Sequence, residues 1–286
     1  MECYKAMNKS GVIFNIARFC LNDGPGIRTT VFFKGCPLRC VWCHNPESQM
    51  QEKQIMFYPD KCLGCGRCRN LKVDKSDFVC FKGSKEICAK TVTSADEITE
   101  AMKDYSFYES SGGGVTLSGG EPLLQFEFAL DILKKCKENN LHTAIETCGF
   151  ADENKIKQIA KHTDLFLFDF KESNPKLHKA YTGVDNTLIL QNLYLLSKLE
   201  KDIILRCPVI PGYNDREENY VEISKLANTL TSIIGIEIEP YHSFGESKYK
   251  ALEKQQPEIL MQTEEQISEI IDYIGSKTRI PVKRAV

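Results

Sequence analysis

No apolar run in this sequence approaches the roughly 20 residues that a membrane-crossing helix needs; the longest, such as DLFLFDF at Asp164–Phe170, are of strand length. The opening stretch, MECYKAMNKSG, lacks the apolar centre of an export signal, so a cytoplasmic protein without membrane attachment is expected. Charge of one sign is lacking too. Thirty-seven lysines and arginines face 39 aspartates and glutamates, a formal net charge of −2, and no overall basic field draws the chain to nucleic acid. A disulfide framework is the last exclusion. The cysteine count of 13 is odd, no export signal is present, and the cysteines cluster at short range.

In a reducing compartment, clustered thiols are metal ligands more often than bridges. Ten of the 13 cysteines lie between Cys3 and Cys88. The scattered Cys136, Cys148 and Cys207 are expected to pack as small buried apolar residues. With 286 residues and 42% hydrophobic content, the chain suits one large domain, or one domain with a small insert.

IRTTVFFKG at Ile27–Gly35 is rich in β-branched and aromatic residues and reads as a strand. A loop with Cys36, Cys40 and Cys43 follows directly. Residues 55–92 break the pattern, with five cysteines, several glycines and many charges, and read as a small inserted module. Regular alternation begins next. SADE at Ser94–Glu97 has the form of a capping box, opening a helix to about Tyr108. Strands are expected at Val115–Leu117 and in HTAIETC, DLFLFDF, IILRCPVIPG, IIGIEIEPYH and RIPVKRAV. Helices are expected at Leu123–Glu138, Asp152–Lys161, Asn186–Leu199, Arg216–Leu230 and Thr263–Ile274. Short apolar strands separated by helices make a parallel sheet buried on both faces, either an open barrel or a doubly wound sheet. In both, reactive loops sit at the carboxyl ends of the strands. The candidate motifs fall there: Cys36–Cys43, Ser118–Glu121, Glu146–Gly149, Asp169–Lys171, Arg206–Pro211 and Tyr241–His242.

Three cysteines make an unusual metal site. Structural zinc closes a tetrahedron of four ligands, and the adjacent His44 could complete one here. The other reading is a 4Fe–4S cluster held by three thiolates, whose fourth iron stays free to bind something else. Thiolate ligands and a soft metal favour the cluster.

Cys36-x3-Cys40-x2-Cys43, with the aromatic Trp42 before the last cysteine, is similar to the radical S-adenosylmethionine (SAM) signature. More narrowly, LNDGPGIRTTVFFKGCPLRCVWCHNPESQ at Leu21–Gln49 resembles the glycyl radical enzyme activating enzymes, the pyruvate formate-lyase activating enzyme group. SGGGVTLSGGEPLLQ, AIETCGF, FDFKE, YTGVDNTLILQNL, RCPVIPGYND and PYHSFGESKY match that family in order, across nearly the whole chain. The resemblance implies an α/β fold: a partial (β/α)6 TIM-like barrel from 1–54 and 93–286, with 55–92 as a degenerate ferredoxin-like insert. It implies that Cys36, Cys40 and Cys43 hold a 4Fe–4S cluster whose open iron binds the amino and carboxylate groups of SAM. An electron passed through the cluster then cleaves the sulfonium, giving methionine and a 5′-deoxyadenosyl radical. The protein supplies position and electrostatics.

The same resemblance assigns Gly119, Gly120 and Glu121 to the methionine end of SAM, with Glu121 accepting from its ammonium and Ser118 adding a hydroxyl. Glycines there let the backbone approach the ligand. Trp42, Thr147, Arg206 and His242 join the cofactor site, His242 near the adenosine. Asp169 and Lys171 share one side of a strand end; in the family this pair lies at the cofactor and the target peptide, so both are expected to be catalytic with the three cysteines. Arg206 reads as a fixed cation at a strand end, suited to a carboxylate or to peptide carbonyls. Asp23, in the DGPG turn, would touch the partner. Glu146 stands where some relatives carry an aspartate beside a monovalent cation, which leaves that ion unassigned here.

Within the insert, KCLGCGRC places Cys62, Cys65 and Cys68 like the first three cysteines of a ferredoxin run, while Lys72 and Val73 stand where the fourth is usual. Relatives with a full insert carry two extra clusters, and five cysteines are too few for both. One auxiliary 4Fe–4S cluster with a distant fourth ligand is expected. CFKGSKEI keeps Cys80 and Gly83 at the spacing of a ferredoxin's last cysteine turn, which favours Cys80 over Cys88. Zinc on the same four thiolates is the alternative; either metal would staple a segment with little apolar content.

The activity expected is that of an oxygen-sensitive activase, a radical SAM oxidoreductase that takes a hydrogen from one backbone glycine of a partner glycyl radical enzyme. It would work as a monomer and receive electrons from a donor such as flavodoxin or ferredoxin. The alternatives are a radical SAM enzyme acting on a small molecule, and an iron–sulfur carrier or zinc-bound module. A carrier needs neither an open coordination site nor the Ser118–Glu121 loop. Diol, glycerol and hydroxyproline dehydratases, choline and isethionate lyases and aryl-acetate decarboxylases are all candidate partners. SGGGVTLSGGEP and the ferredoxin remnant lean away from pyruvate formate-lyase itself.

Overall fold

The computed structural model describes residues 8–69 and 80–285, so the middle of the expected insert, with Lys72 and Val73, lies outside the described residues. The strands are β1 (Ser10–Cys20), β2 (Arg28–Phe33), β3 (Gln54–Phe57), β4 (Lys85–Cys88), β5 (Lys90–Thr93), β6 (Gly114–Gly119), β7 (His142–Thr147), β8 (Leu165–Asp169), β9 (Asp202–Val209), β10 (Ile233–Pro240) and β11 (Val282–Arg284). The helices are α1 (Ser94–Ala101), α2 (Tyr105–Ser111), α3 (Phe126–Glu138), α4 (Glu153–Ala160), α5 (Pro175–Thr182), α6 (Thr187–Lys198), α7 (Glu217–Thr229), α8 (Glu246–Ala251) and α9 (Glu264–Gly275). One sheet has the order β11-β10-β9-β8-β7-β6-β2-β1-β5. From β2 through β6 to β11 its strands run parallel; β1 and β5 extend it antiparallel at one edge. Helices link successive parallel strands, and the sheet forms an open, partial TIM-like barrel. β3 and β4 make a separate antiparallel pair. Among the described residues, no helix is long and apolar enough to cross a membrane.

Strand alternation sorts the apolar residues. Phe166 and Phe168 of β8 join Ile145, Leu205, Ile236 and Ile238 in the main core. The intervening Leu165 and Leu167 form a second cluster with Ala144 and Ile204 on the other, concave face. Helices close the main core from outside. α3 buries Ala129, Ile132, Leu133 and Cys136 at helical spacing, with Ile132 and Leu133 worth about 1.5–3 kcal/mol each. Cys136 and Cys207 are fully buried core residues.

Several elements differ from the expected ones. Thr93, not Ser94, caps α1: its hydroxyl accepts from the Asp96 N–H at 3.2 Å, and Asp96 accepts from the Thr93 N–H at 3.0 Å. The helix then breaks into a tight turn at 102–104 before α2. The long β1 was not expected, because register shifts between Ile13 and Asn15 and between Ala17 and Cys20 break its two-residue period. α5 was not expected either, although Asn174 followed by Pro175 is a legible start: the Asn174 side chain accepts from the Lys176 and Leu177 N–H groups.

Candidate active site

The alternation that builds the apolar floor also places the polar groups beyond it. On the concave face Leu165 and Leu167 lead to Asp169, Ala144 to Glu146, and Ile204 to Arg206 and Pro208. Strand register keeps them level: Arg206 pairs with Asp169 on one side and Glu237 on the other. Arg206 therefore sits inside β9 and not at its end, because pairing with β10 continues to Val209. The carboxyl ends open into a cavity of about 340 Å³. Cys36, Cys40, Trp42, Cys43, Ser118, Gly119, Gly120, Asp169, Lys171 and Arg206 all line it. A cavity of about 220 Å³ adjoins it, sharing Asp23, Trp42, His44, Arg206 and Glu239 and adding His242.

Arg206 is the centre of a buried ionic group. Its Nη1 lies 2.7 Å from Glu146 Oε1, and its Nε lies 3.0 Å from Glu237 Oε2 and 3.7 Å from Glu239 Oε1. Asp23 is 4.0 Å away, and Nη2 donates to the Asn22 carbonyl. The Ser118 hydroxyl donates to Glu146. Burial works to raise Glu146, but Arg206 and Ser118 outweigh it and hold the carboxyl below its ordinary value. Lys171 Nζ lies 3.0 Å from Asp169 Oδ2. Burial opposes that ammonium's charge, yet Asp169 and nearby thiols keep Lys171 protonated well above its ordinary value. Carboxylates outnumber cations in the cleft.

Burial raises all three thiols. Cys40 is pushed up to about 12, with Lys171 pulling against the rise; Cys36 and Cys43 are raised as well. Such thiols stay protonated at neutral pH unless a metal takes them as thiolates. Among the described residues, no three His, Cys, Asp or Glu side chains converge closely enough to share a single ion. Three partly buried cysteines lining one cavity match the thiolate donor set of a 4Fe–4S cluster that keeps one iron open.

Two expected ligand residues face elsewhere. Glu121 is only 1% exposed. Its Oε1 accepts from the Leu123 N–H at 3.0 Å and the Thr147 hydroxyl at 2.9 Å, and its Oε2 accepts from the Cys148 N–H at 2.9 Å. Thr147 follows Glu146 on β7 and so points away from the cleft. Neither Glu121 nor Thr147 lines the cavity. They tie the loop after β6 to the loop after β7. The glycines beside them have a packing reason. Gly119 has φ +112, and a Cβ there would sit 2.4 Å from Phe33 N; at Gly120 it would sit 2.3 Å from the Gly35 carbonyl oxygen. The Gly-Gly pair seats the β6 loop against the end of β2.

Asn45 and Glu239 also line the cleft, where sequence reasoning did not place them, as do His44, read as a possible zinc ligand, and Cys148, expected as a small buried residue at a strand end. Glu239 was legible by alternation from Glu237, and His44 by adjacency to Cys43. The His44 and His242 rings lie 4.8 Å apart, and Phe244 lies 4.5 Å beyond His242. The His44 residue is solvent-exposed, yet desolvation of its ring against the cleft wall, with His242 and Lys248 nearby, holds its pKa below the ordinary value. His242 Nδ1 is buried and has no hydrogen-bond partner among the described residues, so it remains available to a ligand. At the mouth, the Thr30 hydroxyl donates to Asp23 at 2.6 Å, and the fully buried Arg28 donates to the Pro25 and Val115 carbonyls at 3.0 and 2.8 Å. The DGPG turn is thereby fixed.

Away from the cleft, Cys62 and Cys65 are exposed, and Cys68 and Cys80 are partly buried. A hydrogen bond with the Ser84 hydroxyl at 3.1 Å, helped by backbone N–H groups, holds the Cys80 thiol down at about 7. Cys88 packs with Met56 and Ala251 in a small apolar cluster.

Comparison with known proteins agrees with this geometry. The profile of the Radical SAM superfamily matches residues 30–223. The chain is 39% identical over 285 residues to the trans-4-hydroxy-L-proline dehydratase activating enzyme of Clostridioides difficile, covering 91% of this chain and 94% of that protein. It is 37% identical over 281 residues to the choline trimethylamine-lyase activating enzyme of Oleidesulfovibrio alaskensis, covering 86% and 88%. Among solved structures, a domain of a pyruvate-formate lyase-activating enzyme from Bacteroides vulgatus superposes with a TM-score of 0.52 at 27% identity, over 61% of this chain and 99% of that one. The superfamily implies a 4Fe–4S cluster and SAM. The three-thiol cavity and the unpartnered His242 nitrogen beside it fit both. The chain belongs to the radical SAM superfamily, among the activating enzymes of glycyl radical enzymes.

Proposed function

We propose that this protein activates a partner glycyl radical enzyme by removing a hydrogen from one of the partner's backbone glycines. The observation that carries the proposal is the single cleft in which three thiols, the Asp169–Lys171 pair and the Arg206 group meet at the carboxyl ends of the parallel strands. When bound, the cluster and SAM supply the one-electron cleavage of the sulfonium and the 5′-deoxyadenosyl radical. Cys36, Cys40 and Cys43 hold the cluster. Ser118 and the backbone of Gly119 and Gly120 border the methionine end, with Glu121 and Thr147 holding that loop from behind. Trp42, His44 and His242 wall the adenosine side. Lys171 and Arg206 are fixed cations for the SAM carboxylate and for carbonyls of the incoming chain, and Asp169 and Glu146 keep both in place. Asp23, on its fixed turn, meets the partner at the mouth.

Residues 55–92 form a separate module in this reading, with an auxiliary 4Fe–4S cluster on Cys62, Cys65, Cys68 and Cys80. Supporting that choice, the Cys80 thiol is already acidic, whereas Cys88 is committed to an apolar cluster. The protein works as a cytoplasmic monomer, and its electron comes from flavodoxin or ferredoxin. The test is anaerobic reconstitution with iron and sulfide, reduction, and addition of SAM. Formation of 5′-deoxyadenosine and methionine is expected; intact SAM after reduction would sink the reading.

A further inference from the structure

The charges of this chain are unevenly placed. Residues 55–69 and 80–92 carry six lysines and arginines against two aspartates and glutamates, a net +4; with a chain total of −2, the remainder carries −6. Lys61, Arg67, Arg69, Lys82 and Lys90 are exposed. Lys61, Arg67, Arg69 and Lys82 lie on the two segments that leave one end of a strand ladder. Phe57 pairs with Lys85 at the end of the β3–β4 ladder, and the Tyr58 N–H donates to the Ser84 carbonyl at 2.7 Å, so 58–69 and 80–84 emerge side by side. Lys61 Nζ lies 4.5 Å from the Tyr58 ring centre, and Lys82 Nζ lies 5.6 Å from that of Phe81. Two large apolar side chains project among these cations, Leu63 at 68% and Phe81 at 84% exposure. Each is the neighbour of a cysteine, Cys62 or Cys80, and the Cys62 and Cys65 thiols are themselves exposed.

Small, transient electron-transfer interfaces use charge for steering and a few apolar contacts for fit. This surface has both, beside sulfur. The cleft has the opposite character: Asp23, Glu146, Asp169, Glu237 and Glu239 outnumber Arg206 and Lys171. An acidic protein is repelled at the cleft mouth and attracted to the module. We propose that the described segments 55–69 and 80–92 form the docking face for an acidic one-electron carrier protein, and that the electron consumed in activation reaches the chain there. The inference rests on the function proposed above. In the transfer itself the carrier is oxidised by one electron and the chain's iron–sulfur centre is reduced by one; no bond or proton moves.

The test uses the iron-loaded full chain and an acidic flavodoxin, with binding read from flavin fluorescence. The Lys61→Glu/Arg67→Glu/Lys82→Glu variant should bind oxidised flavodoxin about tenfold or more weakly at low ionic strength and lose most of the salt dependence. Its reduction by flavodoxin hydroquinone should slow in parallel, while reduction by dithionite and iron content stay unchanged. The corresponding glutamine variant should fall between. A control reversal on exposed helix positions, Lys134→Glu/Lys225→Glu, should change flavodoxin binding by no more than about twofold. Unchanged flavodoxin affinity in the triple variant would overturn the proposal. So would equal weakening in the control, loss of iron together with affinity, or the same cations proving to bind RNA and not flavodoxin. If the activase reading is wrong, dithionite-reduced protein will leave SAM intact, whereas the docking measurement reads binding and stands apart from that result.

Discussion

Glu121 offers the sharpest separation of a ligand contact from a structural tie. Its carboxylate accepts three hydrogen bonds from the protein and does not line the cleft. Glu121→Ala strands the Leu123 and Cys148 N–H groups and the Thr147 hydroxyl in a buried place. At about 1–3 kcal/mol for each unmet donor, offset in part because a costly buried carboxylate is removed, the loss is roughly 3–6 kcal/mol. Burial raises the Glu121 carboxyl despite its hydrogen bonds, which is the sign of that offset. Glu121→Gln keeps the volume. Its amide oxygen can serve Leu123 and Thr147, but its NH₂ then confronts the Cys148 N–H, donor against donor. One lost bond is worth about 1–3 kcal/mol, or roughly 2–10 °C of melting temperature for a chain of this size. The assay is thermal unfolding of the holoprotein beside SAM affinity. Glutamine should lower the melting temperature and weaken SAM by less than about tenfold. Unchanged melting with a collapse of SAM affinity would refute the reasoning and restore Glu121 as an ammonium acceptor.

Other consequences are equally direct. Glu97 is 5% exposed, and one of its carboxylate oxygens has no partner among the described residues; burial raises its pKa from 4.5 to about 7. Protonation therefore favours the fold: that contribution is complete below pH 4.5 and is lost as pH rises through about 7, by at most about 3 kcal/mol. Glu97→Gln should raise the urea midpoint at pH 8 and leave it unchanged at pH 4; equal effects at both would contradict this. Arg206→Met leaves Glu146 and Glu237 without their buried cation and should cost about 3–5 kcal/mol by urea unfolding, with part regained on adding Glu146→Gln. Cys80→Ser should lower bound iron by one cluster's content, whereas Cys88→Ala should keep the iron and cost about 1 kcal/mol of stability. Equal iron loss in both would move the fourth ligand to Cys88.

Much of the site was legible because a strand's two-residue period is a strict rule. It brought Asp169 and Lys171 to one side, and it puts Glu146, Arg206 and Glu239 over the same apolar floor. Where motif resemblance and that rule point differently, the rule describes the side chain's direction. Thr147 was grouped with the cofactor by its neighbours, yet alternation from Glu146 sends it outward to Glu121. The glycines of SGGEP read as a close approach of the backbone to a ligand; their further close approach, to the end of β2, is a long-range fact of sheet order. The edge strand β1 hid behind its bulges. Arg206 read as a strand-end cation, and the pairing of β9 with β10, a long-range fact, carries the strand on to Val209.

The central claim is that the electron and SAM delivered to this cleft end as a radical on another protein's backbone. Its most direct test is electron paramagnetic resonance on anaerobic mixtures of the reduced holoprotein, SAM and individual glycyl radical enzymes of the dehydratase, lyase and decarboxylase classes. The account predicts a glycyl radical doublet in a cognate partner, formed together with 5′-deoxyadenosine and absent with the Cys36→Ala variant. SAM cleavage driven by a small molecule, with no glycyl doublet in any partner, would contradict it.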